Sequence, residues 1–516
     1  MTSAGAGLRP TWVPAHTRRY RRPGGPWDGP SLDALLSANG GEVVSGEGRF
    51  SADAVEALVA RVAGGLAAPG VRRGQRVAWQ LPNGLAPLVL ARACWRIGAV
   101  ATPVLHSLGP SELAGALGQV DPALVVELDP SRVSDPDALV EVVGGPPVAP
   151  GTIRCRPSDL ALVLFTSGST GTPKAVLHSN RALAFKAALM ARVHGLGPAD
   201  AVLMPAPMAH ISGLLNGVLV PGASAMRSVL VRRFDPAEGL ALIGRERISF
   251  LAGPPTFFVA MAALLADDPG AGDVASVRLV SSGGASVTPA FVESTATAFG
   301  CRVKRTYGST EAPTVTTSTD DDSVEMARDT DGRAVGEVEL KVAEPGTGAR
   351  LAPGQPGELW VRGPELFCGY AEPAQTAEVV ARGGWFRTGD LATVDPEGWL
   401  RIVGRLKDVI IRGGENISAS EVEAALEAHP SVRQAVAVGY PDPLMGERVA
   451  AFVVADGPFD LETARRWFAE RGMARFKTPE RVDRLERLPL LGSGKADRAA
   501  LRDRAALEAP AGRPGP

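Results

Sequence analysis

The chain of 516 residues is 45% hydrophobic and 21% charged, a folded globular composition that excludes wholesale disorder; at about 150 residues per domain it holds roughly two to four units. Its 54 Lys and Arg nearly balance 56 Asp and Glu, and the net charge of -2 exerts no general pull on nucleic acid or anionic membrane. Four cysteines (Cys94, Cys155, Cys301, Cys368) share no CxxC spacing and suit a reducing cytosol better than a disulfide framework or a zinc site, and six histidines form no HExxH pair, so a zinc hydrolase lacks its ligands.

Residues 1–30 carry Arg18, Arg19, Arg21 and Arg22 without the apolar stretch of a signal peptide. The most apolar long window, 86–105, is interrupted by Pro87, Arg92, Arg96 and Pro103, which predicts a buried helix and strand rather than a membrane span. A soluble, cytoplasmic protein is expected. Strand-like runs at 88–90, 124–128, 162–165, 202–204 and 277–280, each short enough to read as helix interior as well, alternate with longer helix-like stretches, the pattern of α/β layering with much parallel sheet. Past Gly404 the texture changes. Ser420, followed three residues later by Glu423, reads as a capping box, and Val422, Ala425 and Leu426 form an apolar helical face that stops before Pro430. Strands are expected at 435–438 and 449–454, and a helix near 461–471. The predicted fold class is α/β, with a large N-terminal domain of layered sheets and helices at 1–404 and a small α+β C-terminal domain at 405–516.

The most informative stretch is Leu162-Val163-Leu164-Phe165-Thr166-Ser167-Gly168-Ser169-Thr170-Gly171-Thr172-Pro173-Lys174. An apolar strand enters a loop of glycines and small hydroxyl residues that ends in a lysine. Gly168 and Gly171 let backbone N–H groups approach an anion, while Thr166, Ser167, Ser169 and Thr170 offer hydroxyl donors and Lys174 a positive charge. It is not a Walker A loop, because Pro173 stands where that motif has glycine.

This loop resembles the signature of the adenylate-forming enzymes: acyl-CoA synthetases, adenylation domains of peptide synthetases, and luciferases. Four further stretches carry the resemblance, in the family's order. Tyr307-Gly308-Ser309-Thr310-Glu311 is similar to its aromatic–Gly–x–Thr–Glu motif, and Trp385-Phe386-Arg387-Thr388-Gly389-Asp390 to its Thr-Gly-Asp motif. Gly404-Arg405-Leu406-Lys407-Asp408, running on to Gly413-Gly414-Glu415-Asn416-Ile417, is similar to its hinge region, and Gly492-Ser493-Gly494-Lys495 to its terminal Ser-Gly-Lys. The resemblance implies ATP and Mg²⁺ as cofactors and coenzyme A as co-substrate, with a carboxylic acid activated to acyl-AMP. Glu311 would hold the Mg²⁺, Thr310 would donate to the α-phosphate, and Tyr307 and Gly308 would lie against adenine. The Gly283-Gly284-Ala285 turn would approach the purine's other edge. Asp390 would accept both ribose hydroxyls, with Arg405 beside them. Lys495, delivered by a small mobile domain, would bridge carboxylate and phosphate oxygens.

The same resemblance places Lys407 at the hinge and His210 at the acyl pocket, and implies that Gly413 and Gly414 line a pantetheine tunnel. Ile211 after His210 cannot pair with an ammonium, so the expected substrate is an apolar acid without an α-amino group. Gly213, Gly217 and Gly283 are expected to leave volume for the acyl group beside Leu214, and Ala175 departs from the glycine usual after the loop lysine. CoA ligation is the favoured second step. A stand-alone enzyme serving a carrier protein, a luciferase-like oxygenase and a nucleotide-binding module without turnover stay open as alternatives.

Overall fold

A computed structural model describes residues 8–12, 17–46, 48–153, 155–166, 173–285, 287–412, 415–491 and 495–507. Among these residues the strands form four sheets. The first is five-stranded, in the order Leu124–Val126, Arg76–Trp79, Val100–Pro103, Leu160–Thr166, Lys174–Ser179. It is parallel up to its last pair, which is antiparallel. The second has nine strands; its central members Arg302–Tyr307, Leu279–Gly283, Phe250–Gly253, Ala201–Met204 and Arg227–Leu230 run parallel. Strands such as Ala201–Met204 are buried throughout, as expected where helices cover both faces of a parallel sheet.

Helix Leu85–Ile97 shows how the sequence sets this layering. Every one of its residues is buried, so the run 88–90, which reads as a strand, is instead helix interior: burial on all sides erases the periodicity that distinguishes the two. Its two arginines are paired rather than solvated. Arg96 Nε lies 3.0 Å from Asp33 Oδ1 and Arg92 Nη2 lies 2.7 Å from Glu56 Oε2. Gly98, at φ 72, ends the helix and sends the chain into Val100–Pro103. No helix among the described residues is long and apolar enough to cross a membrane.

The third sheet is antiparallel and is built on Trp385–Val394, which pairs with Gly357–Arg362 on one side and Leu400–Arg405 on the other. The chain changes sheet at the 3₁₀ turn Leu406–Asp408, because Val409–Arg412 belongs to the fourth sheet with Glu415–Ser418, Gly446–Ala455, Val432–Asp442 and Arg481–Arg484. That last sheet carries its own core, including Val422, Leu426, Ala437 and Phe468. Helix Ala419–Glu427 begins two residues before the expected box: Ser418 is the cap, its Oγ accepting from Glu421 N at 3.4 Å. Glu423 is no capping carboxylate, since it is 2% exposed and points into the domain.

Candidate active site

Thr166 and Lys174 are opposite each other in the last pair of an antiparallel ladder, so the two stems of the glycine-rich loop are fixed by strand hydrogen bonds. Ser167, Gly168, Ser169, Thr170 and Gly171 lie outside the described residues. Gln119 Nε2 donates to Pro173 O at 2.8 Å and holds the loop's exit. Lys174 Nζ sits 5.1 Å from the Tyr370 ring centre. Ala175 pairs with Phe165, and its methyl is buried with Val100, Val104 and Leu177. The Ala175 side chain therefore faces the core.

Tyr307 ends strand Arg302–Tyr307 and opens a tight turn. A Cβ on Gly308 would lie 2.4 Å from Thr314 N, so only glycine allows the chain to fold back here. Ser309 N donates to Ala312 O at 3.0 Å, and Thr314, with φ 40, is held in a conformation that β-branched residues avoid. Buried Lys186 secures it, donating from Nζ to Thr314 O at 2.8 Å beside Glu365 Oε1 at 3.4 Å. The turn thus projects Thr310 and Glu311. Glu311 Oε1 accepts the Tyr370 hydroxyl at 2.7 Å, and Glu311 O accepts from Phe367 N at 2.8 Å.

Asp390, on the third sheet and 4% exposed, receives two donors. The Tyr307 hydroxyl reaches its Oδ2 at 2.7 Å and Arg405 Nε its Oδ1 at 2.6 Å; Arg405 is its direct partner across the strands. Burial, then the carboxylate, pushes the Tyr307 phenol well above its usual range, so it stays a donor. Each carboxylate oxygen has two lone-pair sites, which leaves capacity for ribose hydroxyls.

Lys495 arrives from the fourth-sheet side on a hairpin closed by Leu491 N to Lys495 O at 2.7 Å and by the Leu490–Ala496 bridge. Its Cε lies 3.9 Å from where a Cβ on Gly284 would sit, and Gly284 has φ +79. Lys495 is exposed as a residue, while its ammonium end lies among the charged groups of the site. Its pKa is lowered, first by desolvation and then by Arg405, while Asp390 and Glu311 oppose the shift. Residues of the second, third and fourth sheets therefore converge on one point. Gly413 and Gly414, with Ser493 and Gly494, lie outside the described residues; Lys407 occupies the turn between sheets.

On the acyl side, His210 caps helix Ile211–Leu214, and Ile211 is half-buried beside it. His210 is pulled down to about 4, chiefly by burial and then by the Lys495 and His106 charges, so the imidazole is neutral at pH 7. Asn83 sets this corner: its Nδ2 donates to Ala206 O at 2.8 Å and its Oδ1 accepts from Met208 N at 2.8 Å. The glycines do not supply the expected volume. A Cβ on Gly213 would meet Pro207 O at 2.2 Å, on Gly217 Met204 Cγ at 2.8 Å, and on Gly283 Thr306 O at 2.2 Å. They permit close packing instead, and Leu214 belongs to the main core. Asn83, Gln119, Lys186 and Tyr370 are functional neighbours that sequence reading passes over; a polar Asn83 between apolar runs was the one local signal.

Known proteins are similar to this chain in sequence and in fold. The AMP-binding enzyme family matches residues 37–371, and the AMP-binding enzyme C-terminal domain matches 421–495. A medium-chain fatty-acid–CoA ligase of Escherichia coli (strain K12) is 34% identical over 487 residues, 88% of this chain and 85% of that one. A feruloyl-CoA synthase of Amycolatopsis sp is 35% identical over 460 residues, 86% of this chain and 92% of that one. The crystal structure of ATP-bound MatB from Rhodopseudomonas palustris superposes with a TM-score of 0.83 at 29% identity, covering 92% of this chain and 98% of that one. The chain belongs to the AMP-binding, adenylate-forming enzymes.

Proposed function

We propose that the protein activates an apolar carboxylic acid with ATP and transfers the acyl group to coenzyme A. In the first step a carboxylate oxygen bonds to the α-phosphorus, the bond to the β-phosphate oxygen breaks, and pyrophosphate leaves. In the second the CoA thiol gives up its proton, its sulfur bonds to the acyl carbon, and AMP leaves with the bridging oxygen. The observation that supports this best is Lys495 beside Gly284, under the joint influence of Arg405, Asp390 and Glu311. A cation at this point offsets repulsion between carboxylate and phosphate.

Thr310 donates to the α-phosphate, Tyr307 and Gly308 bound the adenine, Asp390 and Arg405 take the ribose, and Lys174 faces the outer phosphates with its loop. Mg²⁺ would be held by Glu311. One carboxylate together with the nucleotide's own oxygens is an ordinary ligand set for Mg²⁺, and Glu311 Oε1 is already fixed by the Tyr370 hydroxyl at 2.7 Å. Bound there, Mg²⁺ would neutralise phosphate charge. We take 1–404 and 405–516 as the two domains, with Lys407 as the pivot that exchanges the Lys495 hairpin for Gly413 and Gly414 and their thiol tunnel. His210, neutral, and Ile211 present no anion to an ammonium, so substrates with an α-amino group are disfavoured by several kcal/mol. A cytoplasmic setting, where ATP and CoA are available, fits the four unbridged cysteines.

The test is a panel of fatty, alicyclic, aryl and amino acids, read as pyrophosphate release and then as thioester formed with CoA or with a carrier protein. The highest specificity constant for an amino acid would overturn the Ile211 argument. Thioester formed on carrier protein but not on CoA would reassign the second step.

A further inference from the structure

The hairpin that carries Lys495 is held by an ion pair that none of the signature motifs contains. Asp497 N donates to Pro489 O at 2.8 Å, and Asp497 Oδ1 accepts from Ala500 N at 3.0 Å, so the hairpin passes directly into helix Arg498–Leu507. Leu501 and Ala505 dock that helix on one face of the fourth sheet with Val436, Val438 and Phe452. Helix Ala419–Glu427 packs on the opposite face with Ala435, Ala437 and Val449. Strand Val432–Asp442 ends the main path of this sheet, so alternate N–H and C=O groups of its outer side need partners.

Glu423 and Arg498 meet there from the two faces. Arg498 Nη1 lies 2.7 Å from Glu423 Oε1, and Arg498 Nη2 donates to Glu423 Oε2 at 2.8 Å, a two-pronged pair. Ala437 N donates to Glu423 Oε1 at 2.8 Å, and Arg498 Nη1 donates to Ala437 O at 2.9 Å. One strand residue is thus gripped by both partners. Burial raises the Glu423 carboxyl, and Arg498 opposes that shift; Asp408 of the inter-sheet turn and Glu427 are the other charges facing the pair. Only Ala496 and Asp497 separate Arg498 from Lys495.

We propose that Arg498, clamped by Glu423, is a positioning residue for Lys495: it fixes the hairpin's height so that the ammonium reaches the cleft for adenylation. The proposal rests on the assignment of Lys495 to that half-reaction. In the second half-reaction the hairpin has left the cleft, and the clamp is dispensable. A displacement near 1 Å at a charge-stabilising group slows a reaction by about a hundredfold.

The experiment measures pyrophosphate exchange and, separately, thioester formation from supplied acyl-AMP and CoA, for Arg498→Met, Arg498→Lys, Glu423→Gln and Lys495→Ala. The expected result is a loss of about a hundredfold in the exchange kcat for Arg498→Met with KM for ATP nearly unchanged, partial recovery in Arg498→Lys, and thioester formation within about twofold of the parent. Equal loss of both half-reactions in Arg498→Met and in the near-isosteric Glu423→Gln would make the pair a folding element and overturn the proposal. Unchanged exchange in Arg498→Met, with exchange lost in Lys495→Ala, would overturn the clamp alone. Exchange retained in Lys495→Ala would overturn the reading on which it rests.

Discussion

The Tyr307 hydroxyl donates to Asp390 Oδ2 at 2.7 Å, joining the turn that bears Thr310 and Glu311 to the sheet that bears Arg405. In the proposed site, the residues assigned to adenine and those assigned to ribose therefore form one hydrogen-bonded unit. Tyr307→Phe keeps the aromatic face but leaves Asp390 with one donor fewer. A loss of about 1.4 kcal/mol is expected, a tenfold rise in KM for ATP. Steady-state kinetics with varied ATP measures it, and kcat at saturating ATP should fall much less.

Lys495→Ala should abolish acyl-AMP formation, with a barrier increase of about 3–4 kcal/mol by analogy with removal of a single oxyanion donor. Thioester formation from supplied acyl-AMP should survive. Rapid-quench measurement of each half-reaction separates the two.

Lys407→Pro should give the reverse pattern. The turn Leu406–Asp408 is 3₁₀, a helix type whose usual φ of about −50 to −70° proline can adopt, so the conformation described here should be tolerated. Rotation away from it is restricted. Near-normal pyrophosphate exchange with strongly reduced acyl-CoA release is expected, and equal rates in both assays would remove Lys407 from the hinge.

Acid sensitivity should come largely from buried histidines. Burial pulls His178 to about 4 and His194 to about 3, both below the unfolded value of 6.5. Between pH 6.5 and those values the unfolded chain binds protons that the folded chain refuses. Stability is thus full above pH 6.5 and falls as pH drops through this window, by up to about 1.4 kcal/mol per pH unit for each group. His194 packs against Phe250, ring centres 5.3 Å apart, so His194→Phe removes the titration with little change of shape. Its melting temperature should depend less steeply on pH between 6.5 and 3 than the parent's, read by thermal denaturation across that range.

Much of the site was legible because its residues come in short runs with fixed chemistry. Loop, turn and terminal lysine are each written within about a dozen consecutive positions, and the α/β alternation followed from apolar runs such as 162–165 and 202–204. What could not be read was decided by partners distant in sequence. Residues 88–90 read equally as strand or as helix interior, because their helix is buried on every side and its arginines are covered by Glu56 and Asp33. Glu423 matches a capping rule, yet it lies 75 residues before the arginine it serves. Gly213 and Gly283 are small because the carbonyls of Pro207 and Thr306 crowd them, and Gly217 because Met204 does, and no local pattern distinguishes that need from an open pocket.

Strand Lys174–Ser179 is hydrogen-bonded on both sides. It pairs with Leu160–Thr166, while Cys368 N donates to Leu177 O, Leu177 N to Gly369 O and Ala371 N to Ala175 O. Ala175 and Leu177 enter one core and Val176 another. One extra residue between Lys174 and Ser179 would exchange those faces and shift Tyr370, which holds both Glu311 and the Lys174 side chain. Chain length here is thus constrained from two directions at once. Single-residue insertions and deletions in this strand should never be recovered in a library selected for activity, even where point substitutions at the same positions survive.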